Sequence, residues 1–246
     1  MHPAAGAFRG IAALYERARP GYPAAAGSYL VSRLGLAPGR TVVDLAAGTG
    51  KLTRLLLPSG ARVIAVEPLA EMRDQLAETV PAAEIVEGTA ESLPLPEASV
   101  DAVTVAQAFH WFDAEAALAE IARVVRPGGA AALLWNMRDL ADPLQARFHA
   151  LLLPYRGDTP NEHDRPWLAE VSASRAFGPV EEWSVPWVAR YTRGELAERF
   201  ASVSFVAALP ERERERLLAT IDAVALDAGG AVEFRYRTDV FVLPVS

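Results

Sequence analysis

The chain has 246 residues, of which 51% are hydrophobic, and a formal net charge of −7. This composition supplies enough apolar side chains for one large core, whereas the acidic balance argues against a general nucleic-acid-binding surface. Cysteine is absent, which excludes disulfides and thiolate chemistry, and no apolar run approaches the ~20 residues of a membrane-spanning helix.

The remaining global features also narrow the function. The four histidines lack the spacing of metal ligands, so we expect no metal site. The N-terminus lacks a basic segment followed by an apolar one, so we expect a cytoplasmic location. We expect no nucleic-acid or membrane partner, and no feature of the sequence indicates the oligomeric state.

Hydrophobic patterning predicts alternating helices and strands along the chain. Two helices come first, at 8–17 and 24–34, separated by the turn-forming residues 20–23. The predicted strands then lie at 42–44, 62–66, 83–87, 100–105, 130–135, 180–191 and 232–244, and the further helices at 52–57, 69–78, 114–125, 140–153 and 211–226.

The stretch 41–53, TVVDLAAGTGKLT, predicts a strand that ends at Asp44, a turn of small residues and a helix. Such a unit brings backbone N–H groups and glycines close to a ligand. A phosphate-binding P-loop is excluded because Leu52 stands where Ser or Thr is required. A dinucleotide site is weakened because Thr53 replaces the third glycine. An acid before the turn suits a ligand that carries an ammonium and a sulfonium, such as S-adenosylmethionine.

The same stretch resembles motif I of the class I S-adenosylmethionine-dependent methyltransferases, with Ala46 in place of a glycine and Gly48 retained. Residues 88–113 and 126–139 resemble later motifs of that family. The likeness is strongest to a small-molecule branch that includes the trans-aconitate methyltransferases. It implies an α/β, Rossmann-like fold with a seven-stranded, mostly parallel sheet, an antiparallel last strand and helices on both faces. It also implies a helical N-terminal segment and a helical insertion after strand 5.

The resemblance implies S-adenosyl-L-methionine as the cofactor and S-adenosyl-L-homocysteine as the product. Glu67 ends the second predicted strand about 20 residues after the glycine turn, where a carboxylate can accept both ribose hydroxyls. In the family the N-terminal helices lie over the cofactor, and the loop after strand 3 contacts adenine. The expected cofactor-binding residues are Tyr15, Arg19, Asp44, Ala46, Ala47, Gly48, Gly50, Glu67, Pro68, Leu69, Met72, Thr89, Ala90, Glu91, Gln107 and His110.

The loop after the fourth predicted strand, 106–112, is the most informative for chemistry, because α/β sheets bind ligands at the carboxyl ends of their strands. Its His110 is the candidate catalytic residue, either as a base for a substrate hydroxyl or as a positioning group. Trp111, Trp135 and Asn136 are expected to form a wall of the substrate site.

We expect in-line methyl transfer from the sulfonium to a small-molecule acceptor, with a carboxylate or hydroxyl oxygen favoured. A carboxylate needs no base. Two alternatives stay open, namely a non-catalytic S-adenosylmethionine-binding protein and an NAD(P)-binding oxidoreductase, which Thr53 disfavours.

We expect one domain, 1–246, comprising an N-terminal helical lid (1–37), a cofactor-binding half (38–137), a substrate-cover insertion (138–178) and C-terminal strands and helices (179–246). Possible substrate contacts in the insertion are Arg138, His149, Tyr155, Arg156 and His163.

Overall fold

A computed structural model of the protein describes residues 10–159 and 167–245. In this part of the chain the strands form a seven-stranded sheet of order β3-β2-β1-β4-β5-β7-β6. The strands are β1 (Thr41–Leu45), β2 (Arg62–Val66), β3 (Glu84–Val86), β4 (Val100–Ala106), β5 (Val125–Arg138), β6 (Glu181–Thr192) and β7 (Ala231–Pro244).

Helices lie between the strands and cover the sheet. They are α1 (Ala12–Ala18), α2 (Ala24–Arg33), α3 (Thr53–Leu56), α4 (Ala70–Thr79), α5 (Ala114–Val124), α6 (Pro143–Leu152), α7 (Trp167–Ala173), α8 (Arg193–Ala201), α9 (Ser204–Ala207) and α10 (Glu211–Asp227). The first predicted helix starts later than expected, at Ala12, and its expected start at residue 8 lies outside the described residues. No helix within the described ranges is long and apolar enough to cross a membrane.

Strands β1, β2, β3, β4 and β5 pair in parallel, which directs their carboxyl ends to one edge of the sheet. The central strands are buried on both faces because their residues are mostly Val, Ala, Leu and Ile. Strand β5 begins five residues earlier than predicted. Its register with β4 shifts between Val100 and Ala102, so the Pro127–Gly129 turn is accommodated as an irregularity within the strand.

Strand β7 runs antiparallel to both β5 and β6, as the resemblance implied. The predicted fold class is therefore confirmed, including the helical N-terminal segment and a helical insertion after β5, in which α6 corresponds to the predicted helix 140–153. Helices α7, α8 and α9 were not predicted. For α8 the sequence carried a signal, since Thr192 and Glu195 form a capping box at its start.

Candidate functional site

Three N–H groups of the loop after β1 bond within the protein. Ala47 N–H donates to the Val66 carbonyl (3.1 Å), Gly48 N–H to Glu67 Oε2 (2.9 Å) and Gly50 N–H to the Ala47 carbonyl (3.0 Å). These three N–H groups therefore bond to the protein itself and do not form a phosphate cradle. The loop nevertheless lines the two cavities described below, so the expectation that it lies beside a ligand stays a prediction.

Ala46 occupies the left-handed region at φ 54° although it is not glycine. Its short side chain makes this backbone possible at a cost of about 1–2 kcal/mol. Gly48, at φ 57°, has room for a Cβ, since nothing lies within 4 Å of that position. Both residues line the cavities described below, so the small side chains leave space there.

Gly50 was expected to bind the cofactor, but it lines neither cavity of the described structure. It faces α4 instead, where an added Cβ would lie 2.4 Å from Leu76 Cδ1 and 2.6 Å from Val80 Cγ2. Its φ of 88° also requires glycine. Gly50 thus lets the loop pack on α4, and its contribution to the site is structural.

Glu67 lies at the carboxyl end of β2 and is only 4% exposed. Its Oε2 accepts from Gly48 N–H (2.9 Å) and its Oε1 from Leu69 N–H (3.0 Å). Burial raises the pKa of this carboxyl, and the two backbone hydrogen bonds act against the rise. Each carboxylate oxygen has a second lone pair, so Glu67 can brace the loop and still accept hydroxyl groups.

Asp44 is buried at the end of β1 and accepts from Thr53 Oγ1 (2.6 Å) and Thr104 Oγ1 (3.2 Å). Burial, with a smaller contribution from the nearby Glu67, raises the pKa of Asp44 to about 6, and the threonine hydrogen bonds act against this rise. The site thus holds a carboxylate whose charge is costly in the absence of a cation.

Two adjoining spaces open at this edge of the sheet. The smaller lies between the ends of β1, β2, β3 and β4. Its lining includes the predicted Tyr15, Ala46, Gly48, Glu67, Pro68, Leu69, Met72, Thr89, Ala90, Glu91, Gln107 and Trp111. Most of the predicted adenosine-contacting residues are therefore brought together around one cavity.

The larger space is called the cleft below. It is lined by the predicted Tyr15, Arg19, Asp44, Ala46, Ala47, Gly48, Gln107, His110, Trp111 and Asn136. The residues that line both spaces, and so form their junction, are Tyr15, Ala46, Gly48, Ala106, Gln107 and Trp111.

The N-terminal segment covers this junction. Arg19 donates from Nη2 to the Ser202 carbonyl (2.9 Å), and its guanidinium carbon lies 5.4 Å from the centroid of the Tyr15 ring. Asn136 donates from Nδ2 to the Gly21 carbonyl (2.9 Å). The cover is thereby attached both to the end of β5 and to the residue after α8.

Asn136, predicted as substrate wall, also has a structural role. Its Oδ1 accepts from Thr238 Oγ1 (2.7 Å), which in turn accepts from Trp187 Nε1 (2.8 Å). With Nδ2 bonded to Gly21, both polar atoms of its amide hold protein groups. Asn136 lines the cleft but mainly orients the N-terminal cover.

Trp135, also predicted as substrate wall, lines neither space. It is 3% exposed and stacks on Trp167, with ring centroids 5.2 Å apart. Its indole N–H donates to His110 Nδ1 at 3.3 Å. The prediction that Trp135 forms a wall of the substrate site is therefore wrong, because its ring is buried behind His110 and does not reach the cleft.

The cleft is rich in positive charge. Five cationic side chains line it, namely Arg19, Lys51, Arg138, Arg156 and Arg199, together with His110 and His149. Among the lining residues that the structure describes, Asp44 is the one carboxylate. Lys51 is paired with Glu16, with Nζ and Oε2 3.5 Å apart, so the four arginines carry most of the positive charge of the described lining, whereas the protein as a whole has a formal charge of −7.

Part of this lining was not predicted as a site. Tyr22, Lys51, Arg199 and Tyr236 all line the cleft, as do apolar residues of α6, α8 and α9. Arg138, His149 and Arg156, treated as possible contacts, line it too, whereas Tyr155 packs in the C-terminal core and His163 lies outside the described residues. Residues from distant segments meet here through the antiparallel return of β7, which local patterning does not reveal.

Comparison with known proteins agrees with this geometry. A family model described as a methyltransferase domain matches residues 43–133. An uncharacterised methyltransferase from Mycobacterium tuberculosis is 38% identical over 235 residues, which cover 92% of this chain and 91% of that protein. An uncharacterised methyltransferase-like protein from Schizosaccharomyces pombe is 36% identical over 219 residues, which cover 89% and 85% of the two chains.

Solved structures show the same architecture. A protein proposed as a type II methyltransferase from Anaeromyxobacter dehalogenans matches with a TM-score of 0.65 and 26% identity, over 92% of this chain and 97% of that one. The geranyl diphosphate C-methyltransferase of Streptomyces coelicolor, solved with S-adenosyl-L-homocysteine, matches with a TM-score of 0.53 over 90% and 79% of the chains. At 15% identity, this second match shows the shared fold.

The expected likeness to trans-aconitate methyltransferases stays a prediction. The oxidoreductase alternative is overturned, since the family match and the curated relatives are methyltransferases. The chain belongs to the methyltransferase family, as an S-adenosylmethionine-dependent enzyme of class I.

Proposed function

We propose that the protein transfers the methyl group of S-adenosylmethionine to an oxygen atom of a small, negatively charged molecule, with a carboxylate as the preferred acceptor. One observation carries this proposal. The cavity next to Glu67 joins the cationic cleft at Tyr15, Ala46, Gly48, Ala106, Gln107 and Trp111. A cofactor that spans this junction presents its reactive centre to a molecule in the cleft.

The residues present fit the nucleoside half of this cofactor. Glu67 is buried in the smaller cavity and retains lone pairs for two ribose hydroxyls. Leu69 and Met72 supply apolar surface for the adenine, and Ala90 lies opposite on the loop after β3. Gly48 keeps the backbone open at the junction, because a Cβ there would enter empty space.

Two residues that line the cleft, Arg19 and Asp44, also fit the amino-acid half. Arg19 can pair with a carboxylate by charge-assisted hydrogen bonds, and its guanidinium is positioned by the Ser202 carbonyl and the Tyr15 ring. Asp44 contributes negative charge where the ammonium and sulfonium would lie. This would offset the cost of burying its carboxylate.

The bound cofactor supplies a methyl group on a sulfonium, which leaves a neutral thioether after transfer. The protein's task is therefore to orient the acceptor and to exclude water, which can account for ~7–11 kcal/mol of a barrier. Trp111 lies at the junction where the acceptor must approach. Helices α6, α8 and α9 cover the cleft and limit the size of the acceptor.

The charge of the cleft supports an anionic acceptor. A cleft that is lined by positive charges and has walls of low dielectric constant raises the local concentration of anions. A carboxylate is already deprotonated at neutral pH and needs no general base. A hydroxyl acceptor would need a general base. Asp44, the carboxylate of the described lining, already accepts hydrogen bonds from two threonines, which makes it a weaker base for this purpose.

The test is release of S-adenosyl-L-homocysteine with a panel of mono-, di- and tricarboxylic acids and their neutral amides. We expect turnover with at least one acid and none with its amide. Arg156→Gln should raise the KM for that acid, whereas Arg190→Gln, which removes the same charge from a side chain 83% exposed outside the cleft, should not. Calorimetric binding of S-adenosylmethionine without turnover of any panel member would contradict the proposed acceptor class.

A further inference from the structure

The side chain of His110 is held from behind by a buried tryptophan. Trp135 Nε1 donates to His110 Nδ1 at 3.3 Å. His110 lines the cleft within the turn Phe109–Trp111, and Trp135 lies on β5 with its ring 3% exposed. The contact thus joins the cleft to the apolar core.

Trp135 has little freedom to turn its N–H elsewhere. Its ring stacks on Trp167 at an interplanar angle of 13° and meets the edge of Phe241 at 5.9 Å. A buried indole N–H is a donor only, and leaving it without an acceptor costs about 1–3 kcal/mol. Rotation of the indole would break this packing. The position of the N–H is therefore fixed, and the hydrogen-bond acceptor, His110 Nδ1, must lie where the N–H points.

The chemistry of imidazole then decides the tautomer. A ring nitrogen accepts a hydrogen bond only when it carries no proton. Nδ1 of His110 accepts from Trp135, so in the neutral ring the proton is on Nε2. The single lone pair that could accept a proton from a substrate already receives the tryptophan N–H.

We infer that Trp135 is a positioning residue that keeps His110 as a hydrogen-bond donor through Nε2–H, so that His110 orients an acceptor oxygen and does not deprotonate it. The role of His110 at the acceptor rests on the proposed function, whereas the tautomer does not. An enzyme built in this way methylates an oxygen that arrives without its proton, as a carboxylate does.

The tautomer can be measured without any acceptor. The protein is labelled with ¹⁵N at histidine and loaded with S-adenosyl-L-homocysteine, and His110 is assigned among the four histidines by its loss in His110→Gln. We expect an unprotonated Nδ1 and a protonated Nε2 at neutral pH. A protonated Nδ1 would overturn the inference. Calorimetry on the same sample reports cofactor binding, so failure of the proposed function is seen separately.

Two variants test whether the N–H of Trp135 sets the tautomer of His110. Trp135→Phe keeps an aromatic ring against Trp167 and removes the N–H, and it should lower the ratio of the Nε2–H to the Nδ1–H tautomer by roughly fivefold, the effect of one neutral hydrogen bond. Trp183→Phe, whose ring stacks on Tyr29, should leave the ratio unchanged. An unchanged ratio in Trp135→Phe would overturn the inference. If that variant does not fold, the wild-type spectrum decides.

The catalytic consequence is tested with the acid that turns over fastest in the panel. Glutamine retains an N–H donor but is no base, whereas phenylalanine has neither property. His110→Gln should therefore keep kcat within about tenfold of the wild type, and His110→Phe should lose more. Loss of a general base costs roughly 10²–10⁴-fold, so His110→Gln as inactive as His110→Phe would refute the donor role.

Discussion

Glu67 Oε2 accepts a hydrogen bond from Gly48 N–H at 2.9 Å, which links the end of β2 to the loop after β1. Its other oxygen accepts from Leu69 N–H at 3.0 Å, ahead of α4. One buried carboxylate therefore sets the shape of two neighbouring loops. In the proposed function it also holds the ribose, so loop geometry and cofactor affinity depend on the same side chain.

Replacing Glu67 with glutamine should weaken cofactor binding by about 30-fold or more, equivalent to about 2 kcal/mol. The glutamine amide has one oxygen, so its NH₂ group must face either Gly48 N–H or Leu69 N–H. Calorimetry with S-adenosyl-L-homocysteine measures the effect. Glu84→Gln, which alters a carboxylate paired with Arg62 on the surface, is the control. Unchanged affinity in Glu67→Gln would contradict the assignment of the site.

Alanine at Gly50 should reduce stability more than alanine at Gly48. At Gly50 the new Cβ would clash with Leu76 and Val80, so we expect a loss of about 2–4 kcal/mol in the free energy of unfolding. At Gly48 no atom lies within 4 Å, so only the left-handed backbone costs stability, about 1 kcal/mol.

The same pair separates binding from folding. The Cβ of Gly48→Ala would occupy the junction of the two spaces, so cofactor affinity should fall at least tenfold in a protein that remains folded. Urea unfolding and calorimetry on both variants give the two quantities. Equal losses of stability would show that the loop is packed differently.

Ala46→Gly should stabilise the protein or leave its stability unchanged. Ala46 has φ 54°, where a side chain costs about 1–2 kcal/mol, whereas glycine adds about 0.5–1 kcal/mol of chain entropy to the unfolded state. The expected net gain in the free energy of unfolding is about 0.5 kcal/mol. Ala46→Val should lower the free energy of unfolding, because a β-branched residue strongly disfavours the left-handed backbone conformation. Chemical unfolding of the three proteins orders them, and a destabilised glycine variant would contradict the backbone geometry.

Asp44 should make both stability and cofactor binding depend on pH. Its pKa in the folded protein is about 6, above its ordinary value of 3.8, so the folded state holds the proton more tightly than the unfolded state. The stability contributed by this group therefore falls as pH rises from about 4 to about 6 and stays low above that. The difference corresponds to at most about 3 kcal/mol.

Asp44→Asn should accordingly be more stable than the wild type at pH 8, with an advantage that disappears toward pH 4. Binding shows the opposite trend, because the sulfonium favours the charged carboxylate. Affinity of the wild type for S-adenosylmethionine should fall about tenfold between pH 7.5 and pH 5, and less for the uncharged thioether product. Thermal unfolding and calorimetry over this range are the measurements. A pH-independent difference between the two proteins would exclude titration of Asp44.

Much of the lining of the cavity proposed for the cofactor followed from local sequence. Strand-ending acids, small residues in the first turn and the apolar residues after Glu67 are separated by short distances along the chain, and parallel pairing brings their strand ends together. Thr89 and Ala90 line the same cavity for that reason. The errors arose where a residue's direction mattered, since Gly50 and Trp135 belong to the right segments but face the core.

The sequence alone thus determined the fold class, the family and the segments around the smaller cavity, because apolar periodicity and turn chemistry are local properties of the chain. Only the tertiary structure decided the character of the cleft that we propose for the acceptor. Arg138, Arg156 and Arg199 come from separate segments and meet in one cleft because β7 returns between β5 and β6. The tautomer of His110 was likewise decided by a tryptophan 25 residues away, through a hydrogen bond that no spacing rule encodes.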